Sequence, residues 1–306
     1  MVRYLIFMSY IGTRYRGAAK QINNNRLLDL DSIQGALEAA LRSAFYPTSK
    51  IPPIVAISSR TDAGVHAFCN TAQVELEHPQ GLIYDANYIT AKLNLWFARC
   101  GHEIRIVSIR PITQEFNARF SAKSRTYFYR FAIAKDCNEH QMPIVELGRS
   151  WRVSYRSGDI DVEALRQATK LFMGRKNFSS FSPKNKTNRN IDYVKELMEL
   201  TVEPAMPLML EDPRSEMFNF WHITVRSKSF VYNQVRRIVG ALMGLASGCI
   251  NEKDITTMLQ VPSYLNWDNR LSIAPPCGLY LKNVEYDDEE LARCTIKQEK
   301  IELNEK

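Results

Sequence analysis

An apolar stripe between residues 231 and 246 constrains the fold more than any other feature of this chain. Its members recur at helical spacing on one face about 120° wide: Val231, Val235, Ile238, Val239, Leu242, Leu245 and Ala246. Glycines repeat every four residues in and just after the stripe: Gly240, Gly244 and Gly248. In lipid such a repeat favours helix pairing, but Arg236 and Arg237 flank the stripe near its start. We therefore predict a helix packed closely on a sheet.

Short strand patterns alternate with further helical patterns along the rest of the chain. The sequence predicts strands over residues 2–10, 54–57, 72–77, 104–109, 126–134, 194–202, 218–225 and 278–284, with 54–57 buried. It predicts further helices over 33–44, 86–98 and 159–172. The segment 135–158 is interpreted as irregular. This interspersed order favours an α+β fold with a mainly antiparallel central sheet and flanking helices.

The order of elements runs through a similar pattern twice, which suggests two related halves. We assign residues 1–110 to the first half and residues 111–290 to the second. The remainder, 291–306, is acidic, and we expect a disordered tail there. Residues 285–306 carry eight acids and four bases.

The charge and composition exclude several classes of protein. The chain has 40 Lys and Arg against 33 Asp and Glu, a net charge of +7, and 45% hydrophobic residues. That hydrophobic content excludes a disordered chain, and no apolar run reaches the length of a membrane span. Because the acidic end carries a net −4, residues 1–284 carry +11. Such a basic body suits a polyanionic partner, although a merely basic protein fits equally well.

Signatures of several enzyme classes are missing from the sequence. The five histidines show neither H-x-x-x-H nor H-x-E spacing, and the six cysteines form no C-x-x-C pair. A zinc hydrolase, a zinc deaminase and a dithiol redox site are therefore not supported. The chain also has no G-x-G-x-x-G and no Walker A loop, so an ATP or dinucleotide enzyme lacks its phosphate-binding loop.

The most informative segment is the loop predicted at residues 58–67. Asp62 lies two residues from Arg60, and a nearby guanidinium would lower the pKa of that carboxyl. An ionised carboxylate suits a nucleophile or an electrostatic stabiliser. The alternative is a structural type I turn, in which Asp and Gly are both favoured. Ser59, Asp62 and His66 include triad residue types, but members so close in one loop rarely line up.

Two tyrosines on the strand predicted at 126–134 allow two interpretations of their role. Tyr127 and Tyr129 lie near Arg125 and Arg130, and exposed aromatics interleaved with arginines suit base stacking plus phosphate contact. The alternative is that both rings face the core and the arginines merely flank them.

Five stretches in order carry a resemblance to a known family. They are RTDAGVHA at 60–67, FNARFSA at 116–122 with RTYFY at 125–129, FMGRKNFSSF at 172–181, FVYNQVRRIVG at 230–240 and GLYL at 278–281. Together they resemble the tRNA pseudouridine synthase A family, and most of all its eukaryotic pseudouridine synthase-like 1 branch. The similarity runs from about residue 3 to about residue 286, nearly the whole chain.

The resemblance implies a fold, an activity and a set of site residues. The fold would be the pseudouridine synthase fold, with two related halves around a catalytic cleft. The activity would be an isomerase reaction converting uridine to pseudouridine in RNA, most of all tRNA, with neither metal nor organic cofactor. Asp62 would be the nucleophile, Arg236 would pair with it and keep it ionised, and Tyr127 would pack on the target base. Arg60 would help to hold the RNA or fill the space left by the extruded base. A homodimer without a membrane anchor, in mitochondria or in the cytoplasm, is expected.

Two departures from the family pattern bear on the choice of RNA target. Ala18 and Ala19 follow Gly17, where the family often has Trp-Gln, and Asn233 replaces a frequent His. The Asp, Tyr and Arg positions are intact, so we expect an active enzyme. The alternatives are a catalytically inactive RNA-binding protein of the same fold and an unrelated basic adaptor that binds protein.

Overall fold

The computed structural model describes residues 1–21, 29–45, 51–136, 138, 141–153, 160–184 and 190–297. Its strands are β1 (Val2–Tyr10), β2 (Ala56–Ile57), β3 (His66–Leu76), β4 (Ile104–Ile112), β5 (Ser124–Ala134), β6 (Trp151–Val153), β7 (Gly174–Asn177), β8 (Val194–Pro204), β9 (Phe218–Ser227) and β10 (Leu279–Glu285). Its α-helices are α1 (Ile33–Phe45), α2 (Ala86–Arg99), α3 (Val162–Thr169), α4 (Gln234–Ala246), α5 (Glu252–Gln260) and α6 (Asp288–Cys294).

The described residues form two compact units. Unit 1 comprises Met1–Lys123 and the chain from Asn283 to residue 297, and unit 2 comprises Ser124–Lys282. The chain passes from unit 2 back to unit 1 within β10. The division into related halves at 1–110 and 111–290 stays a prediction.

In unit 1, β1 lies between β4 and β3. The short strand β2 pairs with Ala72 and Gln73 of β3. All three pairings are antiparallel, with Ile6 opposite both Ala72 and Ile109. Leu5 and Ile6 are consecutive residues that point to opposite faces of the sheet, and neither has any exposed surface, so β1 is buried on both faces at its centre. Leu5 packs in a cluster with the α6 residues Leu291 and Cys294.

In unit 2, the strand order is β10-β5-β9-β8-β7, and β6 pairs with β5 on the side. The β5–β6 pair is parallel, whereas β5–β9, β9–β8 and β8–β7 are antiparallel. The sheet is therefore mixed, with flanking helices, as the sequence predicts in outline. The apolar stripe of the first prediction forms α4, whose residues from 237 to 244 are all buried.

The structure corrects several sequence predictions. Strand β3 starts at His66, six residues before the predicted start, because residues from Ala67 onward pair with β1. The buried strand predicted at 54–57 is wrong: β2 has two residues, and Ile54 is 74% exposed. The irregular segment 135–158 contains β6, and α5 was not predicted.

The predicted disordered tail is also corrected in its described part. Residues 288–294 form α6, capped by the side chain of Asp287, which accepts from the Glu290 N–H. Thr295 then bridges to Ile112 at the end of β4. Residues 298–306 lie outside the described residues. Within the described ranges, no helix has both the length and the apolar character needed to cross a bilayer.

Candidate functional site

The four predicted site residues are distributed over both units. Arg60 and Asp62 lie in unit 1, in the loop 58–65 between β2 and β3, which we call the Asp62 loop. Tyr127 lies on β5 and Arg236 on α4, both in unit 2. The side chains differ in exposure: Arg60 is exposed, Asp62 and Arg236 are half-buried, and Tyr127 is buried.

Buried polar side chains fix the Asp62 loop on the side of Arg60 and Thr61. Asn70 on β3 is fully buried, and its side-chain amide donates to the Ser59 carbonyl at 2.9 Å and to the Tyr10 hydroxyl at 3.0 Å. The Tyr10 hydroxyl in turn lies 2.9 Å from the Thr61 Oγ1. Burial raises the pKa of Tyr10 to about 12, so this hydroxyl stays neutral at physiological pH. The residues on both sides of Arg60 are thus held from β1 and β3.

The segment 12–18 supports the other side of the Asp62 loop through backbone contacts. The Ala18 N–H donates to the Thr61 carbonyl at 3.0 Å, and the Gly64 N–H donates to the Tyr15 carbonyl at 3.3 Å. Gly17 has a φ of +126°, and a Cβ there would lie 3.1 Å from the Thr61 oxygen. The close approach therefore needs a residue without a side chain at position 17.

The local conformation at Asp62 is a tight turn. The Val65 N–H donates to the Asp62 carbonyl at 3.2 Å, and Gly64 has a φ of +77°. A positive φ at the third residue is incompatible with the type I turn that the sequence suggested as an alternative. The turn leaves the Asp62 side chain half-buried at its first position, where a carboxylate can meet a ligand while its backbone is fixed.

His66 has a structural role at the start of β3. It has no exposed surface, and its Nδ1 accepts a hydrogen bond from the Gly12 N–H at 2.9 Å. Because a backbone N–H can only donate, Nδ1 is an acceptor and any ring proton of the neutral form is on Nε2. A triad would need this ring to receive a proton from Ser59 and a carboxylate to accept from the other nitrogen. The engaged Nδ1 argues against a Ser59–His66–Asp62 triad.

Arg236 is anchored at the first turn of α4. Its Nε donates to the Ala274 carbonyl at 2.7 Å, and its Nη1 donates to the Asn233 Oδ1 at 3.3 Å. The Arg236 carbonyl also accepts from the Ala274 N–H at 3.1 Å. Asn233, just before the helix, has a φ of 61°, a left-handed conformation that Asn tolerates better than most residues. These contacts fix the direction of the guanidinium.

A close approach between α4 and the segment 272–278 makes that anchoring possible. A Cβ on Gly240 would lie 2.2 Å from the Ser272 carbonyl oxygen, so the glycine repeat of the first prediction lets a chain segment rest on the helix. The same segment reaches β5, where the Tyr129 hydroxyl donates to the Pro275 carbonyl at 2.7 Å. Residues 272–278 therefore connect the Arg236 helix to the strand that bears Tyr127.

Tyr127 and Tyr129 both lie on the buried face of β5. The Tyr127 ring is 8% exposed and packs edge-on against Phe230, with ring centroids 5.3 Å apart. Tyr129 has no exposed surface, and its burial raises its pKa well above the ordinary value. Tyr129 is therefore a core residue, as one of the two sequence interpretations held. Tyr127 retains a small accessible area beside Phe230.

Sequence reasoning missed three residues that hold these groups in place. Tyr10 and Asn70 fix the Asp62 loop, and Arg237 ties α4 to the FMGRKNFSSF stretch. The Arg237 Nη1 donates to the Ser180 and Ser182 carbonyls at 2.9 and 3.3 Å, and its guanidinium lies 4.7 Å from the Trp267 ring centroid. Burial lowers the pKa of Arg237. A polar Asn within an apolar strand pattern was the available signal for Asn70.

No metal-binding cluster is found in the part of the chain that the structure describes. There, no three His, Cys, Asp or Glu side chains come together as a metal centre requires.

Comparisons with known proteins identify the family. A family model described as tRNA pseudouridine synthase matches residues 168–287. A tRNA pseudouridine synthase-like 1 protein of Xenopus laevis is 33% identical over 298 residues, covering 94% of this chain and 93% of the relative. The Homo sapiens protein of the same name is 30% identical, with 96% and 93% covered. A tRNA pseudouridine synthase A of Dinoroseobacter shibae is 30% identical, with 94% and 98% covered. The chain belongs to the tRNA pseudouridine synthase family.

Proposed function

We propose that this chain isomerises uridine to pseudouridine in RNA, with tRNA as its substrate. The relatives that it matches along nearly their whole length are named for that reaction. The observation that carries the proposal is the Asp62 loop: a half-buried carboxylate on a tight turn whose flanking residues are fixed by buried hydrogen bonds. Fixed backbone around one half-buried carboxylate is the arrangement expected for a residue that attacks a bound substrate.

In the proposed reaction the Asp62 carboxylate is the nucleophile. The N1–C1′ glycosidic bond breaks, the uracil turns while it is still held, and a C5–C1′ bond forms. The proton on C5 is lost and N1 gains a proton, so the product is an isomer of the substrate. The Asp62 carboxylate bonds to either the base or the sugar, and that bond breaks again before the product leaves, which regenerates the carboxylate. Covalent catalysis of this kind divides the exchange into easier steps. The reaction needs neither a metal nor an organic cofactor.

The other predicted residues take supporting roles in the same proposal. The Arg236 guanidinium, whose direction is set by Ala274 and Asn233, pairs with Asp62 and keeps it ionised. Tyr127 packs on the target base. The exposed Arg60 contacts the RNA and helps to occupy the space that the extruded uridine leaves. The proposal also includes two related halves around a catalytic cleft, as the resemblance to the family implies.

The proposal also covers partner, assembly and compartment. The basic surface supplies salt-sensitive RNA affinity, and the protein acts as a homodimer, as the resemblance implies. We place it in mitochondria, with the cytoplasm as the second candidate. Mapping of pseudouridines in RNA from cells with and without the protein tests substrate and compartment together.

An Asp62→Ala variant tests the nucleophile directly. We expect loss of pseudouridine formation in unmodified tRNA transcripts, while the dissociation constant for the same RNA changes less than about threefold. Asp62→Asn, which keeps the shape of the side chain, should behave alike. Unchanged turnover in either variant would remove Asp62 as the nucleophile. If the unaltered protein binds RNA but forms no pseudouridine in any transcript, the inactive RNA-binding alternative replaces the proposal.

A further inference from the structure

The turn at residues 117–121 in unit 1 presents a strongly exposed aromatic side chain. Phe120 is 79% exposed, more than any other Phe, Tyr or Trp in the described ranges. An exposed ring of this size presents a flat apolar face on which a nucleotide base can stack. None of the four predicted site residues lies in the stretch FNARFSA, which includes Phe120.

The backbone under Phe120 is rigid. The Asn117 Oδ1 accepts from the Arg119 N–H at 3.0 Å and from the Phe120 N–H at 3.1 Å. The Ser121 N–H donates to the Asn117 carbonyl at 2.9 Å. Ala118 is 1% exposed and belongs to the apolar cluster that includes Phe116. The exposed ring therefore stands on a fixed base, and its exposure does not come from a loose loop.

The turn and the Asp62 loop are attached to the same stretch of β3. The Ala118 N–H donates to the Gln73 Oε1 at 2.7 Å. The Tyr286 hydroxyl donates to the Ala118 carbonyl at 2.6 Å and also contacts the Thr71 hydroxyl. The Thr71 carbonyl accepts from the Ser58 N–H, at the start of the Asp62 loop, at 2.9 Å. A fixed framework within unit 1 thus links the exposed ring to the proposed nucleophile.

The charge beside the ring suits a nucleotide. Arg119 is exposed, and its guanidinium lies over one face of the Phe120 ring, 5.6 Å from the ring centroid, which leaves the opposite face for a base. Glu115, also exposed, is the one acid within five residues of Phe120 in sequence, and Lys123, three residues beyond the ring, has its Nζ 4.0 Å from the Glu290 Oε2. An aromatic face with an adjacent guanidinium is the usual means of holding an unpaired nucleotide, because the base stacks and the phosphate meets the cation.

We propose that Phe120 and Arg119 form a stacking platform for an unpaired nucleotide of the RNA whose uridine reaches Asp62. This inference rests on the proposed function insofar as it requires an RNA substrate. The base stacks on the Phe120 ring, and Arg119 contacts its phosphate. The platform holds the RNA in register with the Asp62 loop through the shared attachment to β3.

Substitutions at position 120 test the platform with unmodified tRNA transcripts as the probe. We expect Phe120→Leu to raise the dissociation constant about tenfold, which corresponds to ~1.4 kcal/mol, while Phe120→Trp stays within about twofold of the unaltered protein. Arg119→Gln should weaken binding and lower the salt dependence by about one counterion. The matched control is Tyr88→Leu, since Tyr88 is 47% exposed with the Lys92 Nζ 5.3 Å from its ring centroid on α2 of the same unit.

The outcomes separate the platform from the proposed function. Unchanged RNA affinity in Phe120→Leu, or equal losses in Phe120→Leu and Tyr88→Leu, would overturn the platform even if the unaltered protein forms pseudouridine. A change in sedimentation without a change in RNA affinity would assign Phe120 to a protein contact and also overturn it. A protein that binds RNA through Phe120 but makes no pseudouridine would instead contradict the proposed function.

A measurement on the unaltered protein covers the case in which a variant fails to fold. Transcripts that contain 4-thiouridine are bound, irradiated and digested, and the crosslinked peptides are identified by mass spectrometry. Adducts within residues 117–121 support the platform. Adducts confined to other segments would overturn it.

Discussion

The Asp62 loop and the start of α4 hold the two predicted site residues, Asp62 and Arg236, by different means. The Asp62 loop has no regular secondary structure, and it is fixed by Tyr10, Asn70 and the segment 12–18, which are distant in sequence or on other strands. Arg236 lies on a helix whose own hydrogen bonds are local, and one chain segment, 272–278, anchors it. The first site depends on several long-range contacts, and the second on one close approach.

This difference determines how strongly a substitution should disturb the geometry of each site. A helix keeps its geometry when a single external contact is lost, because its backbone hydrogen bonds are intrahelical. The Asp62 loop has one local turn hydrogen bond, from the Val65 N–H to the Asp62 carbonyl, so a change that forces the loop away from its supporting segments has little local structure to oppose it. We therefore expect substitutions under the Asp62 loop to be more damaging than equivalent substitutions under α4.

The largest effect is expected from Gly12→Ala. A Cβ at Gly12 would lie 1.9 Å from the Val65 carbonyl oxygen, so the segment 12–18 and the Asp62 loop must separate. We expect the free energy of unfolding to fall by about 3 kcal/mol, with a loss of turnover in the protein that remains folded. Urea denaturation and a turnover assay measure both. Gly81→Ala is the control. Gly81 has a φ of +72°, but no atom lies within 4 Å of the position that a Cβ would take, so this variant measures backbone strain without a steric clash.

A smaller effect is expected from Gly240→Ala on α4. The new Cβ would lie 2.2 Å from the Ser272 oxygen and displace the segment that anchors Arg236. Ala is favoured over Gly in a helix by about 1 kcal/mol, so we expect a net destabilisation of about 1–2 kcal/mol. In Gly244→Ala the one short contact of the Cβ is with the Leu271 Cδ2, at 2.2 Å, which is the end of a flexible side chain and not backbone; the Ile250 Cγ1 and the Leu271 Cγ lie at ordinary contact distances of 3.6 and 3.7 Å. Thermal unfolding should show Gly244→Ala close to neutral, and equal losses in both variants would contradict the role of Ser272.

The smallest effect at neutral pH is expected from Tyr10→Phe. Removal of the hydroxyl deletes its contacts with Thr61 and Asn70 and should cost about 1 kcal/mol. The pH dependence is more diagnostic. Burial raises the pKa of Tyr10 from 10.0 to about 12, so its contribution to stability is complete below pH 10 and is lost as the pH rises through 12.

Stability of the unaltered protein should therefore fall more steeply between pH 10 and 12 than that of Tyr10→Phe, by ~2 kcal/mol over the interval. Denaturation at a series of alkaline pH values tests this. Parallel curves for the two proteins would contradict the buried, neutral hydroxyl. Tyr4, with its pKa also raised to about 12, is present in both proteins and cancels from the comparison.

Locally encoded elements were predictable from the sequence. The apolar spacing located α4, although the helix begins at Gln234 and not at Val231, because Val231–Asn233 form the turn before it. Strands β1 and β5 and helix α2 were likewise predicted within a few residues. Helix α5 was missed even though Asn251 and Asp254 form a capping box, a signal that was present in the sequence.

Non-local features could not be predicted. The RTDAGVHA motif drew attention to Asp62 through a resemblance, but nothing in that motif indicates that Tyr10 and Asn70 hold it. His66 has the residue type of a catalytic base, and its structural role follows only from the approach of Gly12. Pairing with β1 converts the end of the motif into strand β3. In each case the deciding contact comes from a residue distant in sequence.

The path of the chain through the two units has a consequence for synthesis on the ribosome. Unit 2 is one uninterrupted stretch, so all of its residues have been synthesised once Lys282 has been added. Unit 1 is interrupted, and its cluster around Leu5 and Phe116 lacks Leu291 and Cys294 until the last part of the chain emerges. Synthesis of unit 1 therefore starts before that of unit 2 and is completed after it. While unit 2 is translated, Leu5 and Phe116 lack their α6 partners Leu291 and Cys294.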